Sequence, residues 1–150
     1  MTQIECHIDV DASPKTVFDL LSDLHGYDRW LPAAADYQGT SEISPPPVSV
    51  GTTYVEHSGR GVRHGIVTVL DRPKVIAFRQ PMTLHPRVAG TIESTVTLSV
   101  ARRGDGARVT RIVELGLPWQ LAILRSLVIG RYRRESERML HALKAYAERS

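Results

Sequence analysis

The pattern of apolar and polar positions divides the chain into a short strand and helix, a run of strands, and a long helical end. Apolar residues alternate with polar ones over Thr2–Val10, which predicts a half-buried strand. Ser13 and Pro14 then supply an N-cap and a first helical position, and His25-Gly26 ends the predicted helix. Residues 27–35 predict a second short helix or turn.

The middle of the chain alternates between strand patterns and turn residues. The predicted strands cover residues 37–43, 52–58, 62–70, 75–80, 91–102 and 107–117. The turns between them contain Gly59-Arg60-Gly61, Arg72-Pro73 and Gly104-Asp105. Three consecutive prolines at 45–47 mark a loop or an edge, and residues 81–90 predict a mobile loop. Antiparallel pairing is expected because the connections are short.

The last thirty residues form one amphipathic pattern, from residue 119 to residue 149. The apolar stripe contains Leu121, Leu124, Val128, Tyr132, Ser136, Met139, Leu143 and Ala147. About 28 residues give roughly 42 Å of helix, which is long enough to cross a sheet whose strands measure roughly 36 Å. The only large partner for this stripe is the sheet, so we predict a single α+β domain over residues 1–150, with a cavity between helix and sheet.

This order of elements resembles the helix-grip superfamily of START lipid-transfer domains, birch-pollen-allergen-like proteins and bacterial polyketide cyclases/dehydrases (SRPBCC). The resemblance is carried by Ser13-Pro14 with residues 17–23, by residues 27–32, 67–69 and 106–110, by Pro73, and by the C-terminal helix. It implies a curved antiparallel sheet of about six to seven strands wrapped around the long helix, with two short helices after the first strand. Members bind lipids, polyketides, quinones or hormones; some catalyse cyclisation and others act on protein partners.

Hairpin geometry predicts which side chains face the helix. Around Gly104-Asp105, directly opposed residues share a face, and the face with the apolar majority is expected to point inward. The opposed pairs are Val100 with Val109, Leu98 with Arg111, Val96 with Val113, and Ser94 with Leu115. Arg111 and Ser94 are therefore predicted to face inward together with their apolar neighbours.

Two further turns extend this prediction to the other strands. The turn at Arg72-Pro73 places three more pairs inward and leaves His64 outside. These pairs are Val69 with Ile76, Val67 with Phe78, and Gly65 with Gln80. The turn at residues 59–61 permits two registers, because a slip of one residue exchanges the faces. Either Thr53, Val55 and His57 or Tyr54 and Glu56 point inward; we favour Tyr54 and Glu56, since an inward Glu56 can pair with Arg111.

Arg111 is the main candidate for chemistry, because a buried guanidinium keeps its proton and needs a carboxylate, a water or an anionic ligand group. One interpretation is a salt bridge to Glu56 or Glu93, or a wet side chain at the cavity mouth. The other is an anchor for a carboxylate or an enolate. The candidate catalytic residues are Arg111, Glu56 and Tyr132. The candidate ligand-binding residues are Trp30, Tyr54, Val67, Phe78, Ser94, Val96, Leu98, Arg111, Val113, Trp119, Leu124, Val128, Tyr132 and Ser136.

Charge and cysteine content limit the possible partners. The net charge is +3, with sixteen Arg against three Lys. Arginines cluster on the last helix, but Glu135 and Glu137 lie among them. We therefore interpret this region as a solvated helix face. No nucleic-acid partner is expected. Cys6 is a lone cysteine on an apolar face, and we find neither a signal-peptide pattern nor an apolar run long enough to cross a bilayer. We therefore expect a cytoplasmic protein without integral membrane contact.

No glycine-rich phosphate loop, paired-cysteine spacing or metalloprotease motif is present, so no cofactor and no metal are expected. The leading hypothesis is a protein that binds a small hydrophobic molecule such as a lipid, polyketide or isoprenoid. The first alternative is a polyketide cyclase, aromatase or dehydratase in which Arg111 stabilises an enolate and a tyrosine or carboxylate moves protons. The second is a protein- or membrane-interaction module that uses the arginine-rich helix and the proline-rich loop. A homodimer is possible with any of the three.

Overall fold

An antiparallel sheet and a long C-terminal helix make up the two layers of the protein. The computed structural model describes residues 2–34 and 37–149. The strands are β1 (Thr2–Val10), β2 (Thr40–Ser41), β3 (Thr53–Ser58), β4 (Gly61–Asp71), β5 (Val75–Arg79), β6 (Met82–Leu84), β7 (Thr91–Arg103) and β8 (Gly106–Gly116). The α-helices are α1 (Pro14–Ser22) and α2 (Arg125–Arg149), and 3-10 helices cover Leu24–Arg29, Arg87–Ala89 and Trp119–Leu124.

The sheet order is β1-β8-β7-β5-β4-β3-β2, and every neighbouring pair is antiparallel. The short strand β6 pairs with both β4 and β7 at one end of the sheet. This arrangement confirms the predicted α+β helix-grip fold, with eight described strands where six to seven were expected. The additional strand β6 lies inside the segment that was predicted to be a mobile loop.

Two of the predicted elements differ in length from the observed ones. The strand predicted over residues 37–43 is reduced to β2, because Gly39 and Glu42 on either side of it have positive φ angles that end the extended conformation. The second short helix begins earlier than predicted, at Leu24, and ends at Arg29. Ala35, the last residue of that prediction, lies outside the described residues.

The predicted strand registers hold around two of the three turns. All four predicted pairs between β7 and β8 occur, including Leu98 opposite Arg111. In the β3–β4 pair, Tyr54 lies opposite Gly65 and Glu56 lies opposite Arg63, which confirms the inward register of Tyr54 and Glu56. Pairing at the two hairpins therefore turns a chemically mixed set of side chains toward the helix.

The β4–β5 pair contains a bulge that the sequence pattern did not reveal. Val67 lies opposite Phe78 as predicted, but the register shifts before Val69, which pairs with Ala77 instead of Ile76. The extra residue turns Val69 to the outer face, where it is 45% exposed. The prediction that Val69 faces inward is therefore wrong.

The amphipathic stripe of the C-terminal region is buried along only part of its length. From Tyr132 to Ala147 the stripe packs against the sheet, chiefly on β1, and Leu143 is fully buried. Nearer the start, Leu124 is 44% exposed and Leu121 and Val128 are half-buried. The segment before Arg125 is a 3-10 helix rather than the first turns of one continuous α-helix. This first part of the stripe borders a cavity instead of core.

Gly65 gives a test of how the Tyr54 side chain lies on the sheet. A Cβ atom at Gly65 would overlap the Tyr54 ring, so Gly65→Ala is expected to lower the free energy of unfolding by about 1–3 kcal/mol. Gly130→Ala is the matched control, because the nearest atom to its new Cβ is 3.6 Å away and the helix gains up to about 1 kcal/mol. Urea denaturation of both variants measures the difference. Equal stability of Gly65→Ala and the parent protein would show that the ring does not cross this strand.

Candidate functional site

A cavity of about 610 Å³ lies between the start of α2, the preceding 3-10 helix, and the end of the sheet that contains β6. Its apolar wall consists of Met82, Leu84, Ala89, Ile92, Leu121, Leu124, Leu127 and Val128. Three buried polar side chains, Arg63, Tyr132 and Glu135, form its inner end. Arg60 and His85 are exposed and stand at the mouth together with Arg131. This volume and lining are typical of a pocket for a small organic molecule.

Arg63 connects the sheet to the helix at the inner end of this cavity. Its Nη1 donates to Glu56 Oε1 at 3.2 Å and to Glu135 Oε1 at 3.1 Å, and its Nη2 donates to Glu135 Oε2 at 2.9 Å. Only 2% of the Arg63 side chain is exposed. The bidentate contact with Glu135 is the strong geometry for a guanidinium–carboxylate pair, and it supplies the partners that a buried charge requires.

Arg111 is buried as predicted, but its neighbours are different from those expected. Its Nε donates to Ser136 Oγ at 3.1 Å and its Nη1 lies 3.4 Å from Met139 Sδ. The predicted salt bridge to Glu56 or Glu93 is wrong, because Glu56 pairs with Arg63 directly across the β3–β4 ladder and Glu93 pairs with Arg79 on the outer face. Arg111 therefore has no ion pair with any described carboxylate.

A second, much smaller cavity lies beside Arg111. Its volume of about 30 Å³ has room for water but not for an organic ligand, and Glu56 and Glu135 also line it. Arg63 and Arg111 together balance the charges of the two glutamates, so this buried group carries no net charge. Burial raises the pKa of Glu56 above its ordinary value, although the charge of Arg63 acts in the opposite direction.

Tyr132 is a buried tyrosine at the inner end of the large cavity. The Arg63 guanidinium can only donate to its hydroxyl oxygen, and the hydroxyl proton has no acceptor among the described residues. The Arg63 guanidinium lies over its ring, with Cζ 5.4 Å from the ring centroid. Burial raises the pKa of Tyr132, so the hydroxyl keeps its proton at neutral pH and can donate a hydrogen bond to a ligand oxygen.

The other polar residues that were predicted to face inward already have protein partners. Tyr54 Oη donates to Gln80 Oε1 at 2.6 Å, and Ser94 Oγ donates to the Gln80 backbone carbonyl at 2.7 Å. Burial raises the pKa of Tyr54 well above its ordinary value, which keeps this hydroxyl neutral. These hydrogen bonds connect β3 and β7 through Gln80, which directly follows β5.

The structure distributes the predicted site residues over three environments. Leu124, Val128 and Tyr132 line the large cavity. Tyr54, Glu56, Phe78, Val96, Leu98 and Arg111 line the small one. The remaining predicted residues, Trp30, Val67, Ser94, Val113, Trp119 and Ser136, line neither cavity. Of this last group Trp119 alone is exposed, and Trp30 packs against Tyr27 with a centroid distance of 4.9 Å.

Sequence reasoning missed Arg63 and Glu135, the two residues that connect sheet and helix. The sequence signal for Arg63 was its position two residues before Gly65. Residues two apart on a strand share a face, and Gly65 was predicted to face inward. Glu135 was interpreted as part of a solvated helix face; that interpretation is wrong, because Glu135 is only 8% exposed and follows Tyr132 by three residues on the same side of the helix.

A comparison of the sequence with family models identifies the family of the chain. The model described as polyketide cyclase/dehydrase and lipid transport matches residues 1–148. The chain belongs to this family. This match confirms the resemblance to polyketide cyclases/dehydrases that was noted from the sequence. A comparison with curated proteins finds no significant match.

Solved structures with the same fold are distant in sequence. Protein MLL2253 from Mesorhizobium loti is 14% identical, with a TM-score of 0.77 and coverage of 99% of this chain and 98% of that one. The Aha1 dimer from Colwellia psychrerythraea is 17% identical, with a TM-score of 0.71 and coverages of 99% and 97%. DynU16, from the dynemicin biosynthetic locus, is 13% identical, with a TM-score of 0.66 and coverages of 96% and 46%. Identities this low establish the fold alone.

A search of the described helices for a membrane span found none that is both long and apolar enough.

Removal of Arg63 tests the importance of the buried ion pairs. Arg63→Met leaves two buried carboxylates without their direct partner, so we expect the free energy of unfolding to fall by about 3–5 kcal/mol at neutral pH. The loss should shrink in acid, because burial raises the pKa of Glu56 and its protonation removes an unpaired buried charge. Arg79→Met is the control, because its pair with Glu93 is exposed and contributes less than about 1 kcal/mol. Urea denaturation at several pH values measures both effects, and equal losses in the two variants would contradict this assignment.

Proposed function

We propose that this family member binds an apolar small molecule in the 610 Å³ cavity. The observation that carries the proposal is the combination of an apolar wall with one buried hydroxyl, that of Tyr132, whose proton has no acceptor among the described residues. Burial of a ligand's apolar surface against this wall is the main favourable contribution. A hydrogen bond from Tyr132 would orient the ligand and remove the cost of a buried hydroxyl proton without an acceptor.

The charges at the inner end favour a neutral polar group on the ligand. Arg63 already contacts two carboxylates, so the inner end of the cavity offers no excess positive charge to a ligand anion. A second carboxylate brought beside Glu135 would be repelled, whereas a ketone, ester or amide oxygen can accept the Tyr132 proton without adding charge. We therefore propose a ligand whose inner end carries a carbonyl oxygen, such as a polyketide, a lipid ester or an oxidised isoprenoid.

Two uncharged fluorescent probes separate the contributions of the wall and of Tyr132. Prodan carries a ketone, and N-phenyl-1-naphthylamine has no carbonyl group. Both are expected to bind with an increase in fluorescence. Tyr132→Phe should weaken prodan binding roughly threefold to tenfold, the value of one hydrogen bond, and should leave the binding of N-phenyl-1-naphthylamine nearly unchanged. Titration of each probe with each protein gives the dissociation constants.

A cavity-filling variant provides the control for the site of binding. Val128→Trp places a large ring in the cavity and should abolish the binding of both probes. Val69→Trp adds the same ring on the outer face of the sheet, where it should leave binding unchanged. Binding that survives in Val128→Trp, or the absence of binding of either probe to the parent protein, would overturn the proposal.

We propose an enzyme of the polyketide cyclase type as the second candidate, because Tyr132 and Glu135 bring a proton donor and a carboxylate to the same cavity. Arg111, the enolate anchor suggested by the sequence, borders the small cavity, which has no room for a substrate. In this alternative Tyr132 would donate a proton to a developing enolate, and Glu135, held by Arg63, would accept one from carbon.

Turnover of a poly-β-ketone thioester tests the catalytic alternative. Mass spectrometry should show cyclised or dehydrated product that forms faster than in buffer. Glu135→Gln should lower the rate by at least about a hundredfold, as expected for loss of a general base, while prodan still binds. Product formation at the rate seen in buffer, with prodan bound normally, would leave ligand binding as the function and remove catalysis.

We further propose that residues 1–150 act as one ligand-binding domain in the cytoplasm. The half-buried Cys6 thiol supports a reducing compartment, since no second cysteine exists for a disulfide.

A further inference from the structure

An exposed apolar surface borders the mouth of the cavity. We call it the mouth patch and define it as Val88, Trp119, Ile123, Leu124 and Leu127. Val88 is 78% exposed, Trp119 is 83% exposed and Ile123 is 94% exposed. Ile123, Leu124 and Leu127 follow Trp119 along the 3-10 helix and the first turn of α2, and Leu124 and Leu127 also line the cavity. A hydrogen bond from Gln120 Nε2 to the Val88 carbonyl, 3.2 Å long, joins the two segments that form the patch.

The charges around the mouth patch all have one sign. Arg87 precedes Val88, Arg125 follows Leu124, and Arg60 and Arg131 stand at the cavity mouth. Residues 72–92 and 116–134 contain no Asp and no Glu. Among the described residues, none of these four arginines forms an ion pair with a carboxylate. The surface therefore combines large exposed apolar side chains with positive charge that no described carboxylate neutralises.

We propose that the mouth patch docks the protein onto the surface of an anionic lipid bilayer. Tryptophan favours the membrane–water interface, where its ring is in the apolar layer and its N–H reaches polar groups. Ile123, Leu127 and Val88 would enter the acyl boundary beside it, and the arginines would contact lipid phosphates. This contact is peripheral and needs no membrane-spanning segment.

Charge complementarity favours a bilayer over a second copy of this chain. A twofold dimer through the mouth patch would place the arginines of one copy against the same patch of the other, which contains no acidic residue to receive them. An anionic lipid surface supplies negative charge over the whole width of the patch. This docking does not require a ligand in the cavity. Because the mouth patch borders the cavity, docking would turn the cavity mouth toward the bilayer.

Vesicle flotation tests the docking directly. We expect the parent protein to float with vesicles of phosphatidylcholine mixed with phosphatidylglycerol, and to float weakly with phosphatidylcholine alone. Arg87→Gln combined with Arg125→Gln should weaken binding to the mixed vesicles roughly tenfold or more. Trp119→Ser combined with Ile123→Ser should abolish flotation. High salt should weaken binding of the parent protein.

Matched variants away from the patch control for general charge and surface apolarity. Arg102→Gln combined with Arg149→Gln removes the same charge at the far ends of β7 and α2. Val50→Ser removes an apolar side chain that is 61% exposed in another loop. Both controls should float like the parent protein. Equal losses in the controls would mean that binding follows net charge rather than the mouth patch, and this would overturn the proposal.

Tryptophan fluorescence locates the contact, because the two tryptophans differ in exposure. Trp30 is 5% exposed, so Trp119 dominates quenching by iodide in free protein. Mixed vesicles should shift the emission to the blue, protect it from iodide, and permit quenching by lipids with brominated acyl chains. Unchanged emission together with no flotation would overturn the proposal. So would sedimentation showing a dimer that the Trp119→Ser, Ile123→Ser variant dissolves, because the patch would then join two copies.

Discussion

The ion pair between Arg63 and Glu135 fixes how the long helix lies on the sheet. Both groups are buried, so each needs the other in a geometry that satisfies its hydrogen bonds, and a shift of the helix by one turn would separate them. Apolar contacts alone tolerate such a shift more easily, because they are not directional. Glu56 adds a second contact from the neighbouring strand. The buried charges therefore specify the alignment of two layers that hydrophobic burial brings together.

This alignment also explains why the cavity lies at one end of the helix. Beyond Tyr132 the apolar stripe of α2 packs closely on the sheet, and Met139 and Leu143 are buried. The segment before Tyr132 consists of the 3-10 helix Trp119–Leu124 and the first turns of α2. This segment lies over β6 and the loop that follows it. The apolar side chains of this first part then face a space instead of other side chains. The packing of the helix on the sheet thus leaves a cavity at the point where its partner layer ends.

The two ends of the cavity differ in chemistry, and this difference connects the two proposals. At the inner end the charges are balanced within the protein, which leaves the Tyr132 hydroxyl to select a ligand oxygen. At the mouth, Trp119 and Ile123 are exposed beside arginines that form no ion pair within the described part of the chain. A ligand that is mostly apolar has low solubility in water, so a cavity that opens toward a lipid surface would shorten its path through solvent. The description of the family to which the chain belongs names lipid transport beside polyketide cyclase/dehydrase.

Local pattern in the sequence determined the α+β class, the β7–β8 register and the inward position of Arg111, because alternation and hairpin turns act between residues close in the chain. It did not reveal the bulge before Val69, the shortening of the strand at Thr40, or the partner of Glu56. Arg63 and Glu135 are 72 residues apart, and no local rule brings them together. Their pairing, and with it the cavity, was decided by the tertiary structure, because two buried charges far apart in sequence meet only when helix and sheet have already packed.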